Sequence, residues 1–230
     1  GMLSAAVPFG NVVVSRLTFL HLDTDLKKIK NIYGDMTQLA VLFFLPISIT
    51  VAIYSWEFIF LLTGSYEVAN WGQVVLSLFI IGNFFFILGG FQYYLQLSHG
   101  NLRMHTKYVT ILFIMYAPVL YYLTYAYGAA GAGLSWLLFR IFSFFFWTPI
   151  VHKKYLPGMH WNWLKENVFY IILGGMLVAI FFIYQYPEVH EISKSSILLT
   201  IIIAWFSIFL SSCLFSSLVR RTLFSRYLNG

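Results

Sequence analysis

From residue 37 onward the chain is a succession of long apolar runs separated by short polar breaks. The runs cover 37–62, 71–97, 108–127, 131–151, 168–186 and 195–218. At 1.5 Å of rise per residue, each is long enough to cross about 30 Å of hydrocarbon as a helix. The breaks carry residues that stop helices: Thr63-Gly64-Ser65-Tyr66-Glu67, Ser98-His99-Gly100-Asn101, Gly128, Leu156-Pro157-Gly158 and Tyr186-Pro187-Glu188. A membrane barrel would show alternating strands of about ten residues, whereas these runs are continuous. The pattern predicts an all-α, polytopic transmembrane helical bundle.

The flanks read differently. Residues 1–20 predict the end of a partial helix, because the apolar stretch ahead of Arg16 is too short to span a bilayer. They have neither a basic leader nor a small-x-small cleavage site, so they do not read as a signal peptide. Residues 21–36 read as a connection that enters the first span as helix, and 219–230 as a basic tail. The connection 152–167 ends in HWNWLKEN, a candidate amphipathic stretch lying on the membrane surface.

Composition agrees with the pattern. Only 10% of the 230 residues are charged and 60% are hydrophobic, against about 25% charged in an ordinary soluble domain. That is too little charge to cover a surface facing water. The single cysteine, Cys213, excludes an intramolecular disulfide framework or a cysteine metal cluster.

The net charge of +6 changes meaning once the runs are taken as spans. Arg16, Lys27, Lys28, Lys30, Arg103, Lys107, Lys153, Lys154, Lys165, Arg220, Arg221 and Arg226 fall on one side of the alternation. Lys194 alone falls on the other, with Glu67, Glu188 and Glu191. Short basic connections face the cytoplasm, so the basic side and the C-terminus are expected there. The basic clusters are explained by orientation and by anionic lipid headgroups, and nucleic acid is not an expected partner.

One basic residue belongs to neither side. Arg140 sits near the middle of the 131–151 run, where insertion costs about 2.5–3.5 kcal/mol. At helical spacing its neighbours are Trp136, Leu137, Ser143 and Phe144, with Gly133 and Trp147 a turn further. Three readings stand: a lipid-facing side chain that snorkels to an interface, a lock to another helix, or a cavity residue for an anionic ligand group, since guanidinium matches phosphate with two parallel hydrogen bonds. Gln92 and Gln96 share a face near the basic end of the 71–97 run. They suit either a ligand hydroxyl or an inter-helix bond, and the more central Asn83 suits an inter-helix bond. Glu57 lies near the far end of its run, where a water-facing rim position is expected and coupling to protons or cations is the sharper alternative. Pro46, Pro118 and Pro149 each fall within a run, where proline kinks helices. Gly128-Ala-Ala-Gly-Ala-Gly133 reads as a tight hairpin of closely packed helices.

Catalytic chemistry finds little support. The histidines at 21, 99, 105, 152, 160 and 190 form no HExxH pattern. Asp23 and Asp25 precede a Lys-rich helix, where N-terminal capping explains them. No enzyme activity, metal or cofactor is expected.

Four stretches carry a resemblance: AAVPFGNVVVSRL at 5–17, LFFLPISITVAIYSWEFIFLLTGSYEVA at 42–69, GGFQYYLQLSHGNLRMHTKY at 89–108 and YGAAGAGLSWLLFR at 127–140. In order and layout they resemble the C-terminal half of a polysaccharide (O-antigen type) flippase of the multidrug/oligosaccharidyl-lipid/polysaccharide exporter superfamily. The resemblance implies one half of a two-bundle exporter fold, with a missing N-terminal helical half as its partner. It implies a bacterial cytoplasmic-membrane protein that moves an undecaprenyl-diphosphate-linked oligosaccharide, with coupling to cations or protons. Arg140, Gln92, Gln96, Asn83 and Trp136 would then be its substrate-binding residues. A multidrug or small-solute exporter, a non-transporting scaffold and a membrane enzyme acting on lipid-linked glycans remain as alternatives.

Overall fold

The structure, a computed structural model, describes residues 2–21, 26–185 and 194–227. Every element among them is helical, and the chain is an all-α bundle. In chain order these are α1 (Met2–His21), α2 (Leu26–Ile53), α3 (Ser55–Thr63), α4 (Tyr66–Ser98), α5 (Arg103–Phe142), α6 (Thr148–Tyr155), α7 (His160–Trp163), α8 (Tyr170–Tyr184), α9 (Lys194–Phe215) and α10 (Ser217–Tyr227). Two π-helical segments, Ser143–Trp147 and Leu164–Phe169, join α5 to α6 and α7 to α8.

Six stretches are long and apolar enough to cross a membrane: Met2–Phe19, Leu26–Ile53, Tyr66–Ser98, Arg103–Tyr155, His160–Tyr184 and Lys194–Phe215. This is the architecture of a multi-pass membrane protein. The stretches do not coincide with the apolar runs one for one. The first is α1, a continuous helix whose Val13 and Leu17 are buried in the core. The remnant expected from residues 1–20 is therefore a packed element.

The 53 residues of Arg103–Tyr155 hide two crossings. Straight, they would reach about 80 Å, far beyond the hydrocarbon thickness. Gly128, at φ 59° and ψ −138°, reverses the chain with a backbone that a side chain would strain. A Cβ on Gly131 would collide with the Leu123 carbonyl, so the two arms meet backbone to backbone. The runs 108–127 and 131–151 are the arms of this hairpin.

Other boundaries move for local reasons. The run 37–62 breaks at Tyr54 (φ −100°, ψ 32°) into α2 and α3. The Ser77 hydroxyl of α4 lies 2.9 Å from both the Ala52 carbonyl oxygen and Ser55 Oγ, supplying polar contact where the helical ladder is interrupted. HWNWLKEN is amphipathic, with one buried and one exposed face. It opens the membrane-length helix His160–Tyr184, with Trp163 1% exposed in the core while Trp161 stays 70% exposed. The tail is helical as α10, after a corner at Ser216. Of the expected far-side connection 187–194, only Lys194 falls among the described residues.

The hub of the bundle is α4, which packs against α1, α2, α3 and α5, while α2 carries α8 and α9 on another face. Leu88, Phe91 and Leu95 of α4 meet Val41, Phe44 and Leu45 of α2 in a single core with Val13 and Leu17. Ile111, Ile114, Leu177 and Phe181 are exposed on the outside of the bundle, as lipid-facing side chains are.

A candidate binding cavity at Arg140

A cavity of about 660 Å³ lies between α1, α4 and α5. Its walls are mostly aromatic and aliphatic, with Phe85, Phe86, Tyr93 and Tyr94 from α4, Leu3, Ala6 and Val7 from α1, and Tyr108, Leu112 and Tyr116 from α5. Arg140, Trp136 and Phe139 complete it from the second arm of α5, and Ser143 and Trp147 from the π segment. A π turn offsets the helix faces before and after it. Here Ser143 and Trp147 stay on the cavity side, whereas Phe144 turns into the core beside Phe85 and Trp163.

The guanidinium carbon of Arg140 is 3.9 Å from the Trp136 ring centroid and 4.2 Å from that of Phe86. Those ring centroids are 6.0 Å apart and tilted by 46°, so the guanidinium lies in the mouth of a V. Cation–π contacts of this kind are worth about 1–2 kcal/mol each when desolvated. Two of them roughly offset the insertion cost of about 2.5–3.5 kcal/mol. This explains how the charge is tolerated although, among the described residues, no carboxylate pairs with it and no protein acceptor takes its N–H groups. The guanidinium carbon thus rests on two rings while its N–H groups stay unclaimed by protein at the wall of the cavity.

Four further polar atoms share this openness. Gln92 is 3% exposed and its Oε1 has no hydrogen-bond partner among the described residues; nor do His105 Nδ1, Tyr108 Oη and Trp147 Nε1. All four residues line the cavity. Trp147 is stacked on Tyr108 with centroids 4.0 Å apart and planes within 5°. Buried polar groups are normally satisfied, and an unsatisfied one costs about 1–3 kcal/mol. Together they form a donor and acceptor set facing an apolar-walled space, the usual composition of a small-molecule site.

The residues picked from sequence separate into groups. Arg140, Trp136 and Gln92 come together in the cavity. Gln96, fully buried, does not line it; its Nε2 donates to the Gln92 carbonyl oxygen at 3.1 Å. Asn83 does not line it either, and its Oδ1 accepts from Trp136 Nε1 at 3.1 Å. Glu57 is 0% exposed in α3 beside Tyr54 and Trp56, which corrects the water-facing rim expected for it. It is not among the residues lining the Arg140 cavity.

A second polar region, absent from the sequence reading, lies at the basic end of the bundle. Gln38 of α2 is fully buried and uses its whole amide. Its Nε2 donates to Asn167 Oδ1 (2.6 Å) and Ser217 Oγ (2.8 Å), and its Oε1 accepts from Ser216 Oγ (2.7 Å) and the Leu218 amide (3.0 Å). Nearby, Tyr33 Oη meets His152 Nε2 at 2.8 Å, and His152 Nδ1 meets His160 Nδ1 at 3.1 Å. The two histidines flank the Pro157-Gly158 turn, which brings them together across eight positions of sequence. Among the described residues no cluster of three His, Cys, Asp or Glu side chains is placed to hold a metal ion.

Comparison of the chain with protein-family models and with the curated proteins finds no match.

Proposed function

We propose that the chain is the anion-gripping bundle of a membrane transporter whose substrate is a polyprenyl-diphosphate-linked oligosaccharide. The observation that carries this is Arg140, a mid-helix guanidinium lying over Trp136 and Phe86, without a protein acceptor among the described residues, at the wall of a cavity of about 660 Å³. A guanidinium with unclaimed N–H groups selects ligands that accept two parallel hydrogen bonds, as a diphosphate does. Trp147 stacked on Tyr108 and the amide of Gln92 supply an aromatic face and a hydrogen-bonding group suited to a sugar. The mostly apolar walls suit the isoprenoid end of an amphiphile.

The test is substitution of Arg140 in the protein's native setting, read as appearance of the lipid-linked glycan in the outer leaflet. Arg140→Lys keeps charge without the two-pronged edge, and Arg140→Gln loses both. Both variants are expected to accumulate normally, since no protein carboxylate depends on the guanidinium. Transport falls in both, further in Gln than in Lys. Normal transport by Arg140→Leu would sink the proposal.

A further inference from the structure

The residues behind Arg140 set where its guanidinium lies. Arg140 lies one helical turn beyond Trp136, so the two side chains share a face of α5 and the guanidinium rests on the indole. The indole in turn rests on α4. Gly82 makes room for it, since a Cβ there would collide with Trp136 Cδ1, and the next residue, Asn83, accepts its N–H at 3.1 Å. Phe79 flanks the ring with centroids 6.2 Å apart, and Phe86 closes the V at 6.0 Å. A small residue, an amide acceptor and two rings thus set the plane of the indole.

We propose that Asn83 and Trp136 are positioning residues for Arg140. By holding the indole plane through the Nε1–Oδ1 bond, they aim the guanidinium edge so that it meets a diphosphate with two hydrogen bonds at once. Asn83 acts from behind, without touching ligand. Without its acceptor, the indole N–H is left unpaired in an apolar setting or the ring turns to find another partner. Either change moves the surface on which the guanidinium lies. The apolar walls that hold the rest of an amphiphilic ligand come largely from other residues, so the loss is confined to the charged end.

The proposal rests on the anion-binding reading, and the experiment separates the two. The chain is reconstituted in lipid nanodiscs and titrated calorimetrically with farnesyl diphosphate and, in parallel, with farnesol. Asn83→Leu removes the acceptor at similar size, and Trp136→Phe removes the donor while keeping a ring. Each is expected to lower the preference for farnesyl diphosphate over farnesol about fivefold, the weight of one net hydrogen bond; Asn83→Leu, outside the cavity lining, should also leave farnesol binding itself unchanged. Because both act through one bond, the double variant should bind no more weakly than the worse single one. Losses that multiply in the double variant would make the residues independent contacts and overturn the positioning role. A parallel fall in farnesol binding by Asn83→Leu would reduce it to general collapse of the cavity. An unchanged preference in both single variants, with Arg140→Gln still abolishing the preference for the diphosphate, would reject the positioning role and keep the anion site. If Arg140→Gln also binds normally, the anion reading itself falls.

Discussion

Two polar regions are embedded in this apolar bundle, and they are finished to different degrees. Around Gln38 every amide valence is used: two donors and two acceptor contacts tie α2 to the start of the α8 arm and to the α9–α10 corner. Around Arg140 the polar atoms are left open, with Gln92 Oε1, His105 Nδ1, Tyr108 Oη and Trp147 Nε1 unpartnered among the described residues and the guanidinium supported by rings. A fully satisfied network holds elements in one arrangement, whereas polar atoms left open at a cavity wall are available to water or to a ligand. The contrast sets a fastening beside a candidate binding site.

The comparison breaks most directly at Gln38. Gln38→Leu fits the volume but strands Asn167 Oδ1, the hydroxyls of Ser216 and Ser217, and the Leu218 amide at the start of α10. Ser216 keeps a second role, since its Oγ accepts from the Val219 amide at 3.3 Å, so not every group is lost. The expected cost is about 3 kcal/mol, from unsatisfied groups at about 1–3 kcal/mol each. It is measured as a lower melting midpoint in detergent by fluorescence-detected size exclusion. An unchanged midpoint would show that the knot is not a fastening.

A smaller effect is expected at Tyr33. Tyr33→Phe removes the hydroxyl that faces His152 Nε2 at 2.8 Å and keeps the ring contacts with Phe91 and Trp163. His152 retains its contact with His160, so one hydrogen bond is lost and one buried nitrogen is left bare. The cost is about 1–2 kcal/mol, read in the same melting assay, with ligand binding unchanged. A loss of farnesyl diphosphate binding with an unchanged midpoint would merge the two regions into one functional unit.

How much of this was legible in the chain follows from what each feature depends on. Continuous apolar runs and their glycine breaks are local, so the helical class and the Gly128 reversal could be read directly. Arg140 was conspicuous because a charge in an apolar run has to be explained within that run. The bond between Asn83 and Trp136 depends on the register of α4 against α5, which no single helix records. The same holds for Gln38, whose partners lie 129 to 180 positions away. His152 and His160 carry a usable signal, two histidines flanking a Pro-Gly turn, but their search as metal or catalytic residues required a carboxylate that the pair does not have. Glu57 was misplaced because depth was counted along an unbroken 37–62 helix, and the break at Tyr54 redirects α3. The π segment has no sequence signature, yet it sends Phe144 to the core and keeps Trp147 in the cavity.

The smallest expected effect sharpens the comparison furthest, because its sign should be opposite to that at Gln38. Gln92 is nearly as deeply buried as Gln38 and differs in having its Oε1 without a partner among the described residues. Its backbone carbonyl, which accepts from Gln96 Nε2, survives any side-chain change. Gln92→Leu therefore removes an unsatisfied amide oxygen, keeps the helix with a residue of equal or better propensity, and leaves no stranded partner. The melting midpoint should stay the same or rise, by at most about 1 kcal/mol in stability. If the amide faces the cavity to meet a ligand, farnesyl diphosphate binding should weaken a few-fold at the same time, since a hydrogen bond is lost only in the bound state. A gain in stability with a loss in binding is what a binding group gives and a fastening cannot. A clear drop in the midpoint would place Gln92 with Gln38 as a structural amide and remove it from the open polar set at Arg140, leaving His105, Tyr108 and Trp147 there.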